Sequence, residues 1–139
     1  MYERVSDQFM ADVFAAVTEQ EPVAALRQLS WAILRTIVSD DVVGFHRAAI
    51  GEVGLRPALS ARLLSQNDDF ERRIESYILA AQREGHFQRL SGAALSRTLL
   101  GAMMSNPLNR AIIGDADFQD EHKLGLYSSD AWAIFASLA

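Results

Sequence analysis

The sequence contains no cysteine, which excludes disulfides and thiolate metal sites and sits well with a reducing compartment. Proline is scarce, with three in 139 residues, so few positions forbid helix. Basic clusters are missing. Lys and Arg are scattered singly, Arg72-Arg73 is the one adjacent pair, and the net charge is −5. A nucleic-acid binder carries a basic face, so this chain alone is not expected to bind DNA. No apolar run approaches the ~20 residues that span a bilayer, the longest uncharged stretch lying around Leu99–Asn109. The opening MYERVSDQFM lacks a basic segment followed by an apolar one, so no secretory signal is visible. No membrane association and a cytoplasmic location are expected.

Reactive constellations are missing too. There is no GxSxG, no glycine-rich phosphate loop and no HExxH-type pairing of histidines with carboxylates. Asp115, Asp117, Asp120 and Glu121 lack the glycine at position six and the glutamate at position twelve of a calcium loop. They are better read as favourable charges near a helix N-terminus. The expectation is no enzyme, no metal and no cofactor.

Helical periodicity, by contrast, is present throughout. Half the residues are hydrophobic and 22% are charged, ordinary for a folded chain, and 139 residues make one domain, 1–139. Val5, Phe9, Val13 and Ala16-Val17 mark a first helix within Met1–Gln20. Glu21-Pro22 opens a second, with a wide apolar face of Leu26, Leu29, Ile33 and Ile37 flanked by Trp31, Leu34 and Val38. Ser39-Asp40-Asp41 reads as a break and N-cap. Val42, Phe45, Ala49, Ile50 and Val53 face one way in a third helix, closed by Gly54 at C′. Pro57 starts a fourth helix that ends at Gly85, with Ser65–Asp69 either a break or a solvated turn within it. After a connection over His86–Leu90, Ser91 caps a fifth helix running to about Met104. Asn106-Pro107 interrupts it, Leu108–Ile113 adds an apolar turn, and Gly114–Gln119 is a polar loop. The last helix, about Asp120–Leu138, steps by three and four through Leu124, Tyr127, Ala131, Ile134 and Leu138, the seam pattern of a helix packed on another. The expected fold is all-α, with about six helices and no sheet.

Phe45–Leu64, FHRAAIGEVGLRPALSARLL, sets Arg47, Glu52 and Pro57 at a spacing that no catalytic or metal chemistry requires. The spacing resembles a junction between two regulatory helices of tetracycline-repressor-type (TetR family) transcription regulators. Three further segments resemble that family in the same order. Tyr2-Glu3-Arg4-Val5 is similar to the start of its connector helix. Ala80–Phe87, leading to Ala93–Gly101, is similar to its helix ending and the next helix. Ala131–Leu138, with Phe135, is similar to its closing dimer helix. The resemblance covers essentially the whole chain, but the family's N-terminal helix-turn-helix has no counterpart in it. It implies a regulatory domain, without DNA-binding domain, that senses a small molecule and forms a homodimer through its last two helices. The alternative is a helical module that heterodimerises with a full-length regulator and binds no ligand.

Arg47 and Glu52 are five apart, not ideal helix neighbours; a salt bridge or cap at the junction is the expected role, and Glu52 can pair with Arg56. The family's pocket would be mostly apolar with a few polar anchors. Phe14, Trp31, His46, Phe70, Tyr77 and Met103 are the candidate ligand-binding residues. Trp31, His46 and Tyr77 supply polar tips, while ordinary core packing is the competing role for all six. The candidate dimer face comprises Leu95, Leu99, Ala102, Leu124, Tyr127, Ala131, Ile134 and Leu138, with the partner a second copy of the chain.

Overall fold

A computed structural model describes residues 2–139, with side chains from Arg4 onward. The side chains of Tyr2 and Glu3, part of the connector resemblance, and the whole of Met1 lie outside the described residues. The chain forms helices α1 (Tyr2–Ala15), α2 (Pro22–Ile37), α3 (Asp40–Val53), α4 (Pro57–Arg83) and α5 (Gly92–Leu100). A π turn (Gly101–Ser105), α6 (Asn106–Ile112), a 3-10 turn (Asp117–Gln119) and α7 (Glu121–Leu138) complete it. No strand occurs among the described residues. Because α5, the π turn and α6 run on with helical backbone angles, the described segments make six rods, as the periodicity predicts.

The wide apolar face of α2 has its explanation in position: α2 touches α1, α3, α4, α6, α7 and the π turn. Leu26, Leu29, Ile33 and Leu34 are completely buried, around a core completed by Val13, Ile74, Ile78, Leu95, Leu99, Met103, Trp132 and Phe135. Two buried serine hydroxyls are both satisfied: Ser30 Oγ donates to Leu26 O at 2.8 Å, and Ser96 Oγ donates across to Glu71 O of α4 at 3.1 Å.

Local signals set several helix ends. Glu21 caps α2, its carboxylate accepting from the N–H groups of Val23 and Ala24 beside Pro22. Ser91 caps α5 through Ala94 N–H, and Asp120 caps α7 through His122 and Lys123 N–H. Gly85 takes φ +93°. With His86 N–H bonding Ala81 O and Gly85 N–H bonding Gln82 O, it closes α4 in a Schellman motif, a conformation a side chain would strain. The next loop is held by the Gln82 side-chain amide, whose Nε2 donates to Phe87 O and Leu90 O. Phe87 adopts φ +54° and lays its ring against Phe135, with centroids 5.4 Å apart.

Elsewhere the structure corrects the reading. The first helix stops at Ala15, just before the Ala16-Val17 pair counted in its apolar pattern, and Gln28 holds the linker that follows: its Oε1 accepts from Thr18 and Glu19 N–H. Ser39 holds the N-cap position of α3 without capping it; its Oγ donates backward to Thr36 O. Gly54 sits at φ −68°, ordinary helical backbone, so it is no left-handed C′ residue. Ile50 is 60% exposed instead of facing inward with Val42 and Ala49. Ser65–Asp69 is uninterrupted helix, since Leu63 and Phe70 anchor the inner face on either side of it.

Asn106-Pro107 does not interrupt the rod. Proline lacks an N–H and its ring crowds the carbonyl four residues back, here that of Met103. The chain widens to a π turn just before it, Asn106 N–H reaching back to Gly101 O. The extra residue rotates the phase of the rod beyond it and places Pro107 in a first turn, where it is tolerated.

Candidate functional site

α1, α2, α3, α4 and the π turn enclose a partly open cavity of about 210 Å³. Val5, Ser6, Phe9 and Met10 of α1 form one wall; Val42, Phe45, His46 and Ala49 of α3 face Leu63, Gln66, Asn67 and Phe70 of α4. Ile37 and Met104 close the floor. None of these described lining residues carries a fixed charge. Phe9 and Phe70 meet at 5.5 Å between centroids, and Phe45 stands edge-on to the His46 ring at 5.0 Å.

Of the six sequence candidates, His46 and Phe70 line this cavity. Phe14 and Tyr77 lie behind Phe70: Phe14 meets it edge-on at 5.7 Å and stacks on Tyr77 at 6.3 Å, with the Arg73 guanidinium 3.6 Å from the centre of the Phe14 ring. Trp31 is half-buried against the core outside the cavity, and Met103 is a fully buried core residue. Met104 takes the place expected of Met103, because the π turn shifts the helical phase at this point. Ser6, Phe9, Met10, Gln66 and Asn67 are lining residues that sequence reasoning does not single out. Val5 and Phe9 signal an apolar face on α1, but only the neighbouring helices decide whether that face meets a core or a hollow.

Among the described lining residues, His46 is the titratable group. Its Nδ1 lies 2.8 Å from Val42 O, and a carbonyl only accepts, so Nδ1 carries the proton. Burial holds the imidazole below its usual value of 6.5, against the smaller opposing effect of the Val42 bond. The folded chain therefore favours neutral His46, and as pH falls through 6.5 the unfolded chain takes up a proton that the folded one resists. Melting temperature should decline from pH 7 toward about pH 5, and His46→Phe should flatten that decline. Glu21, Asp115 and Asp120 have carboxyls held low, each chiefly by a backbone N–H. Their stabilisation is present at neutral pH and is lost only in the acid range, so a pH series of thermal melts separates the two stages.

The arginine–glutamate–proline spacing is architectural. Arg47 crosses to α6, its Nε and Nη2 donating to the terminal carbonyls of Ile112 and Ala111 at 3.1 and 3.0 Å. Glu52 pairs with Arg56 at 2.9 Å, and Pro57 begins α4. A cation at a helix C-terminus satisfies carbonyls that have no partner in the helix. Arg47 thus ties the wall that carries His46 to the rod that carries Met104.

The predicted dimer residues divide. Leu95, Leu99 and Leu124 are buried inside the protomer, so a partner cannot reach them. Ala102, Tyr127 and Ala131 are half-buried, whereas Ile134 and Leu138 are 61% and 51% exposed. Residues seven apart lag by ~20° per heptad on a straight helix. The line Leu124–Ala131–Leu138 accordingly starts in the core and ends outside. The inner face of α7 is Leu124, Trp132 and Phe135, a line that differs from the predicted seam. A second groove, also about 210 Å³, lies between α5, the π turn and α7, lined by Thr98, Ala102, Tyr127, Asp130, Ala131, Ile134 and Phe135. Tyr127 Oη donates to Ala102 O and accepts from Asn106 Nδ2 at 3.3 Å.

Among the described residues, Glu21, Glu84 and His86 are the exposed trio close enough to share a metal ion. Both oxygens of Glu21 are engaged as the α2 cap. No helix among the described residues is long and apolar enough to cross a membrane.

Residues 24–127 match the family described as AefR-like transcriptional repressor, C-terminal domain. The chain belongs to the TetR family. It is a C-terminal, regulatory domain of that family. Its fold is similar to the crystal structure, at 1.54 Å, of a Mesorhizobium loti protein assigned to the TetR-family transcriptional regulators. The TM-score is 0.80 at 14% identity, over 99% of this chain and 68% of that one. No curated protein sequence matches the chain. Dimerisation and response to a small molecule are the general business of such TetR-family domains.

Proposed function

We propose that this TetR-family domain senses a small, largely apolar molecule in the cavity between α1 and α2–α4, and dimerises through α7 with the adjoining part of α5. The observation that carries the proposal is the cavity itself, whose described lining residues carry no fixed charge. It opens against α1, the helix resembling the family's connector, and a ligand wedged between α1 and its neighbours favours one setting of α1 over another. Only a difference in affinity between the two settings is needed, typically about 1–3 kcal/mol. In an intact regulator, α1 would carry that shift to the DNA-reading segment. The chain by itself would sense and dimerise without gripping operator DNA.

N-phenyl-1-naphthylamine, an uncharged dye that brightens in apolar surroundings, tests the pocket. Micromolar binding, abolished by Ala49→Trp, is the expected result, since Ala49 is buried on the cavity wall. Absence of binding, or binding untouched by Ala49→Trp, would remove the effector-pocket reading and favour a module that only pairs with other chains.

A further inference from the structure

The polar groups of the cavity are unequal, and their inequality narrows the ligand. Ser6, Gln66 and Asn67 can each donate or accept, so they discriminate little. His46 cannot do both. Its Nδ1–H is committed to Val42 O, so the neutral ring offers one further group, the acceptor lone pair of Nε2. Nε2 makes no hydrogen bond to any described residue. His46 lines the cavity, and with Nδ1 turned back onto its own helix, Nε2 is the ring nitrogen left for a ligand.

The rest of the lining sets the remaining terms. An ionised ligand group drawn inside would lose much of its water with no fixed counter-charge among the described lining residues, an arrangement that costs more than a neutral hydrogen bond returns. Phe9, Phe45 and Phe70 present flat faces and edges, and Met10 and Met104 present adaptable thioethers. That lining matches a flat ring system better than a flexible chain.

We propose that the cavity selects an uncharged, flat apolar molecule bearing one O–H or N–H donor, seated on Nε2 of His46. The inference rests on the effector-pocket reading and adds a chemical class to it: phenols, aryl amines and similar donors, in preference to hydrocarbons and carboxylates of equal size. His46 then acts as the specificity-determining acceptor, while the aromatic and thioether groups supply most of the contact area.

Three probes of one ring system separate these terms: 1-naphthol, 1-methylnaphthalene and 1-naphthoate, each titrated against bound N-phenyl-1-naphthylamine at neutral pH. The naphthol should displace the dye about tenfold more effectively than the methyl analogue, the size of one neutral hydrogen bond, and the naphthoate should be weakest. His46→Phe should bring naphthol and methylnaphthalene to equal affinity, and should weaken the dye, itself an aryl amine with one N–H, by about the same factor that separates the two probes in the unmutated protein. Imidazole 15N NMR of the unmutated protein provides a readout that does not depend on the variant folding. The Nε2 resonance should move on adding naphthol and stay in place on adding methylnaphthalene. Equal affinities in the unmutated protein, a naphthol preference surviving His46→Phe, tighter naphthoate binding, or an unmoved Nε2 signal would each overturn the inference and leave the pocket standing. Failure of the dye to bind would instead remove the pocket, and the inference with it.

Discussion

Phe135→Ala should destabilise the protein by about 3–5 kcal/mol, the range for emptying a buried phenylalanine site. Phe135 is 2% exposed, with the Phe87 ring 5.4 Å and the Trp132 ring 5.5 Å from its own. Neither neighbour can collapse into the space at low cost. Phe87 sits at φ +54° in a loop pinned by Gln82, and Trp132 is buried on the same helix face. The loss should lower the melting temperature by about 10 °C or more, compared at fixed protomer concentration because partner binding adds to apparent stability. Phe87→Ala should cost less, since Phe87 is only half-buried. Comparable melts for the two variants would show that the α7 core is not organised around Phe135.

Ile134→Glu with Leu138→Glu should give monomers at micromolar concentration with the helical content unchanged. Both side chains are more than half exposed in the protomer, so the fold loses little when they change. In a dimer built on this face, each glutamate must be buried without a partner or held apart from its symmetry mate. A stable interface needs ~800 Å² from each copy, and two charges near its centre should weaken association by about 100-fold or more. Leu55→Glu is the control: Leu55 is 83% exposed at the α3–α4 turn, away from α7, and the variant should sediment like the unmutated chain. A double variant that still sediments as a dimer would place the interface elsewhere.

The legible parts of this chain are those in which a residue acts on its nearest neighbours. Glu21-Pro22, Gly85, Ser91 and Asp120 begin or end helices through bonds to residues close by in the chain, and sequence patterns anticipate each of them. Gly54 and Ser39 look the same in sequence and behave differently. At the α2–α3 and α3–α4 corners the chain turns with right-handed backbone or a backward hydroxyl bond, choices made by how the flanking helices pack. Of the cavity, His46 and Phe70 are legible because their helical phase points inward. Met104 replaces Met103 through a single inserted residue at the π turn just before Pro107, which sequence periodicity does not reveal.

Sequence alone determined that the chain is a bundle of about six helices, that α2 is buried on two sides, and that no recognisable reactive constellation is written into it. These conclusions rest on apolar residues at helical period, on a few capping residues and on the types of side chain present, all of which act within one or two turns. Tertiary structure alone decided which apolar faces meet one another, which meet a hollow, and which stay exposed. Leu95, Leu99, Ile134 and Leu138 have equal hydrophobic character in the sequence. The first two are buried because α4 packs along α5, and the last two stay exposed because the helical phase of α7 turns them past the edge of the core. Burial depends on the competition between faces for a limited amount of covering surface, and that competition is settled only when every helix is in place.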